Sequence, residues 1–178
     1  MNLLVNAKEP VLIAVVFLVA LAIYSDFRWR KIPNCLTLPA IVLGFFLNFL
    51  GNSWNGLLFS LGGLLVGMGL LMLPYLLGGM GGGDVKFMGA LGAFLGSYTI
   101  LNVFLYATLV GGAIALAVAI ANKSLVETLK KVWLLLKCVF LFRAPMAGAG
   151  LFKKSIAIPY GIAIGLGTFI YLVAGKLV

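Results

Sequence analysis

Gly78-Gly79-Met80-Gly81-Gly82-Gly83-Asp84-Val85-Lys86 places a carboxylate between a flexible, glycine-rich backbone and an apolar run that begins at Phe87. The only other aspartate, Asp26, closes an earlier apolar run, Val11 to Tyr24, just before Arg28, Arg30 and Lys31. Both carboxylates therefore fall at the edge of an apolar stretch, the position of an ionisable group at a membrane boundary. Two aspartates at matching depths point to a catalytic pair.

The surrounding composition fixes the class. Of 178 residues, 63% are apolar and 10% charged, with a mean hydropathy of +1.20, far above the apolar share of a soluble domain. Apolar runs of roughly 20 residues suit transmembrane helices, and the near absence of period-2 alternation argues against a barrel. The expected fold is all-α and polytopic, with about six crossings. A formal charge of +9 could mark a nucleic-acid binder, but the cations sit in short connections between apolar runs, where they set orientation instead. No nucleic-acid partner is expected; the lipid bilayer is.

Taken in order, the first segment opens at Pro10, a residue suited to a first helical turn, and runs to about Phe27. Ile32-Pro33-Asn34 is a turn signal, and a second run extends from Leu36 to Leu50. Gly51 to Gly56 reads as a short uncharged hairpin with an interfacial Trp54. A third segment covers Leu57 to about Leu77, a short fourth Val85 to about Tyr98, and a fifth about Leu101 to Ala121. Ser124-x-x-Glu127 is a capping box that opens a helix over about 124–143, and Lys130, Lys131 and Lys137 make it interfacial instead of a further crossing. The final crossing falls at about 156–176. The chain is read as one domain, 1–178, with a core at about 11–121.

Placing the N-terminus outside puts Arg28, Arg30, Lys31, Lys86, Lys123, Lys130, Lys131, Lys137, Arg143, Lys153 and Lys154 inside and leaves Lys8 and Lys176 outside. Both termini are then outside, and both aspartates lie at the cytoplasmic boundary. The first apolar run reads as a retained anchor, because its positive charge follows the run.

Histidine is absent, which removes Ser-His and Cys-His catalysis and His-ligated metal sites. Cys35 and Cys138 are isolated and read as small apolar residues. No metal and no cofactor are expected. Hydrolysis by carboxylates needs one ionised group to activate water and one protonated group to supply a proton, which two aspartates sharing a proton provide. Asp84 at a helix N-terminus is the expected base, and Asp26 near a helix C-terminus the expected acid. The bland readings are an Asp26 paired with Arg28 or Arg30, a glycine loop that only connects, and a Lys86 that only obeys the positive-inside rule. Gly63/Gly67, Gly92/Gly96 and Gly161/Gly165 read as helix-packing notches.

Asp26-Phe27-Arg28-Trp29-Arg30-Lys31-Ile32-Pro33-Asn34 together with Gly81-Gly82-Gly83-Asp84-Val85-Lys86 resembles the two signature stretches of the type IV prepilin peptidases, the GxGD membrane aspartic proteases. Ile158-Pro159-Tyr160-Gly161 is similar to the Pro-containing stretch in that family's last crossing, and the compact chain resembles the Flp-type, tight-adherence members. The resemblance implies cleavage of the basic leader of prepilins or pseudopilins, after a glycine, at the cytoplasmic face of a bacterial or archaeal inner membrane. It implies Asp26 and Asp84 as the catalytic pair and brings Pro159 and Tyr160 toward the site; on the residues themselves, Gly81, Gly82 and Gly83 let the backbone approach an extended substrate closely, and Lys86 is a candidate to hold the loop or the substrate. Larger members carry a cytoplasmic domain with CxxC pairs and methylate the new terminus; this chain has none, so methylation is not expected. Two other classes remain in view: a small proton- or cation-coupled transporter using both aspartates, and a non-catalytic pilus assembly subunit.

Overall fold

A computed structural model describes residues 9–76, 78–121 and 160–175. Within them the chain forms helices α1 (Glu9–Trp29), α2 (Asn34–Leu76), α3 (Gly82–Ala121) and α4 (Tyr160–Ala174). No strand occurs among the described residues, and α1, α2 and α3 are each long and apolar enough to cross a membrane. The helix expected over 124–143 lies outside the described residues, as do 156–159 and 176 of the last segment.

Two of these helices are broken. α2 loses helical geometry at Asn52 and Ser53, where Ser53 takes a left-handed φ of 51°. The amide of Asn48 donates to Ser60 Oγ at 3.0 Å. An unbroken helix would separate residues 12 apart by about 18 Å, so α2 turns back on itself. The expected hairpin over Gly51–Gly56 narrows to two residues, because helix continues to either side of the break.

α3 breaks at Gly96, whose φ of 81° and ψ of 170° suit glycine and few other residues. Contact register gives the directions. Asn34 meets Lys86 and Gly44 meets Ala93, so the first halves of α2 and α3 run parallel. Gly63 meets Gly92 and Gly67 meets Met88, so the returning half of α2 is antiparallel to the same stretch. After Gly96, Ala107 meets Gly167 and Gly111 approaches Ala163, which sets the second half of α3 antiparallel to α4. Successive stretches therefore alternate in direction, and Asp26, Asp84 and the start of α4 share one end of the bundle.

The first half of α3 is the centre of the molecule. Val85, Phe87, Met88, Ala90, Leu91, Ala93 and Phe94 are all buried, which covers every face of the helix rather than one stripe. The sequence reading began this stretch at Val85; it begins at Gly82, and the glycines 82 and 83 are already helical. Its shortness, about 14 residues or roughly 21 Å, has a physical reason. A helix surrounded by protein need not match the hydrocarbon thickness of roughly 30 Å.

Close approach comes from glycine. A methyl group on Gly63 would run into the carbonyl of Gly92, and one on Gly92 into the carbonyl of Gly63, so these two backbones touch as small residues permit in lipid. The Gly92/Gly96 expectation holds for both: Gly96 is the bend, and it also lies against Gly63 and leaves the Phe59 ring no room for a methyl. Asn48 closes the far end: its amide donates to Ala93 O at 2.9 Å and Phe94 O at 3.2 Å, carbonyls that lose helical partners at the break.

Candidate active site

Asp26 lies in the last turn of α1 and is buried, with 4% of its surface exposed. Its Oδ2 accepts the backbone N–H of Ile162 at 3.1 Å, and the adjoining Gly161 N–H also favours the carboxylate. Both donors belong to the first turn of α4, whose early N–H groups have no partner inside the helix. Arg30 acts on Asp26 through its field, and no ion pair engages Asp26 among the described residues. α1 ends as Arg30 enters the left-handed region, φ 50°, with its N–H bonded to Asp26 O at 2.8 Å.

Asp84 sits in the first turn of α3 and is half-buried. Its Oδ2 accepts the Gly81 N–H at 3.2 Å while its own N–H donates to Gly81 O at 3.1 Å. The side-chain bond is the returning half of a capping box, with aspartate in the third helical position; Gly81 has no side chain to supply the other half, and its carbonyl takes the Asp84 N–H instead. The charge of Asp26 is felt at Asp84, and that of Asp84 at the Tyr160 hydroxyl.

The expected difference between the two carboxylates needs correction. Asp26 does end its own helix, but it also faces the N-terminus of α4, so each carboxylate accepts a backbone N–H at the start of a helix. The helix-dipole argument therefore no longer separates base from acid.

Of the other residues singled out by sequence, Gly81, Gly82 and Gly83 surround Asp84, with Gly82 and Gly83 inside α3. Gly82 packs near the Tyr75 ring. Lys86 Nζ donates to Asn34 Oδ1 at 2.9 Å, tying the start of α2 to that of α3. Tyr160 opens α4 beside the pair, and Pro159 lies outside the described residues. Gly161 is a seat for Asp26 rather than a helix-packing notch: a methyl there would lie 2.8 Å from Asp26 Oδ2. Gly165 is a packing notch, against Ile23 and Val19.

Sequence reasoning missed the α4 N–H donors, because a backbone group leaves no residue signature. It also missed the Asn34–Lys86 bond, although both residues stand inside the two quoted stretches.

Such an arrangement, two carboxyl groups on different helices at one end of an apolar bundle, defines a membrane-embedded protein able to do acid-base chemistry at its boundary. The chain belongs to the type IV leader peptidase family, whose family model matches residues 12–116. That span holds Asp26, Asp84 and the glycine stretch and ends before α4. No curated protein and no solved structure matches the chain. Membership makes the protein a peptidase, a hydrolase of the membrane.

Proposed function

We propose that this peptidase is an aspartic endopeptidase that removes the basic leader from type IV prepilins or Flp-like prepilins and pseudopilins, cutting after a glycine. The observation that carries the reading is the placement of Asp26 and Asp84 on separate helices at one end of the bundle, where Ile32 lies against both Gly83, next to Asp84, and Gly161, next to Asp26. One carboxylate takes a proton from water as it attacks the scissile carbonyl, and the other carboxylic acid protonates the departing amine. No step requires a metal.

The bundle crosses the inner membrane about six times, with both termini outside. Arg28, Arg30, Lys31 and Lys86 stand at the same end as the aspartates, which supports a cytoplasmic site. The substrate's apolar helix lies between crossings while its glycine junction extends over the pair. A transporter would hold its carboxylates near the midplane; here one is in the last turn of its helix and the other in the first turn of its own.

The test is co-expression with a prepilin bearing a basic leader and a glycine junction, with processing followed by gel mobility. Asp26→Asn and Asp84→Asn should each slow cleavage by about 10²–10⁴-fold or more, the range lost with a general acid or base. Full processing by the Asp26→Ala, Asp84→Ala double variant would sink the proposal. Residue-dependent proton flux into proteoliposomes would favour transport.

A further inference from the structure

Ile32, in the connection between α1 and α2, belongs to neither aspartate's helix and is 6% exposed. Its backbone faces Gly83: a methyl built there would lie 2.7 Å from Ile32 O, 3.3 Å from Ile32 Cβ and 3.4 Å from Ile32 N. Its side-chain tip faces Gly161, where a methyl would lie 2.9 Å from Ile32 Cδ1 and 2.8 Å from Asp26 Oδ2. Gly83 adjoins Asp84, and Gly161 belongs to the helix start that holds Asp26. Ile32 thus spans the interval between the first turn of α3 and the first turn of α4.

The residue suits that place. Pro33 biases Ile32 toward extended backbone. Branching at Cβ leaves the side chain few rotamers, so its reach is nearly fixed. Glycine at 83 and at 161 removes the atoms that would otherwise fill the space.

We infer that Ile32 is a positioning residue, a rigid spacer between Gly83 and Gly161 that fixes how the Asp26 and Asp84 carboxyl groups are set against each other. The inference rests on the peptidase reading for its kinetic consequence, but not for its structural one. Ile32 touches no reacting atom; it acts through the two helix starts.

Two measurements on the full chain in lipid nanodiscs test it. In prepilin cleavage, Ile32→Ala should lower kcat by about 10- to 100-fold, the cost of a small misplacement of reacting groups, with KM changed less than about twofold. Ile32→Val, which keeps the branch at Cβ, should lose less than Ile32→Ala. The second measurement uses no substrate. Infrared difference titration of the Asp84 carboxyl, isolated against Asp84→Asn, gives the shift in its midpoint caused by Asp26→Asn. That shift should fall by about half or more in the Ile32→Ala background, because a loosened pair interacts more weakly on average. Arg30, whose charge acts on Asp26, and Tyr160, whose hydroxyl is influenced by Asp84, stay unchanged throughout.

Wild-type kcat and an undiminished midpoint shift in Ile32→Ala would overturn the inference. If Ile32→Ala does not fold, Ile32→Val removes only the Cδ1 atom facing Gly161 and carries the same comparison with a smaller effect. If the wild type cleaves no prepilin, the proposed function fails, while the infrared comparison still decides the spacer.

Discussion

Lys86 and Asn34 touch at 2.9 Å across two helix starts, and that contact makes a residue-level prediction. Neither is in contact with Asp26 or Asp84 among the described hydrogen bonds, so their role is to tie the start of α2 to that of α3. Lys86→Met and Asn34→Ala should each reduce cleavage by about 3- to 10-fold, an interaction of about 1 kcal/mol. The double variant should lose no more than the worse single one, since both remove the same bond. Additive losses in a double-mutant cycle would assign Lys86 a separate contact with substrate. Both aspartates were legible in the sequence because a carboxylate at the edge of an apolar run is costly and rare. What holds them was not: Ile162 and Gly81 act through main-chain N–H groups, and any residue but proline supplies one.

At the level of the helix, the breaks in α2 and α3 decide more than the helices do. Asn48 ties both breaks together, donating to Ser60 Oγ on the returning half of α2 and to two carbonyls ahead of Gly96. Asn48→Ala should cost about 1–3 kcal/mol by leaving those acceptors without a donor. The melting temperature in detergent should then drop by roughly 2–12 °C, with cleavage at low temperature little affected because the break lies at the end away from the aspartates. An unchanged melting curve would remove Asn48 from this role. Hydropathy located the apolar runs well, since glycine, proline and charge punctuate them. It misjudged the start of α3, because Gly82 and Gly83 read as loop formers and are helical here. Asp84 explains the difference: its reciprocal bonds with Gly81 begin the helix there, and local capping outweighs a propensity cost of about 1 kcal/mol per glycine.

For the whole molecule, the sequence disclosed an all-helical membrane chain but no neighbours, because hydropathy measures each run against lipid and not against another run. Pairing follows from where side chains are smallest, as at Gly63 and Gly92, whose carbonyls leave each other no room for a methyl. Glycines at 63, 67, 92, 161 and 165 all looked alike on paper. Only the folded chain separates Gly63, Gly67 and Gly92, which seat a backbone, from Gly165, which seats the Ile23 and Val19 side chains, and Gly161, which seats a carboxylate. The stretch of α3 from Phe87 to Leu95 has no face left for lipid. Its level is therefore set by α2 rather than by the hydrocarbon, and reconstitution tests this. Vesicles of short-chain and long-chain phosphatidylcholine should give the same cut site and rates within about threefold, whereas a lipid-matched helix would drift by fractions of a kcal/mol per ångström. A cut site that moves with chain length would show that lipid reaches that stretch.

The sheathing of that central stretch by its own polypeptide makes the scissors a fixed ruler. A host that remodels its fatty acids with temperature or growth phase would leave the blade at the same height, and adaptation would fall to the outer helices that meet the oil.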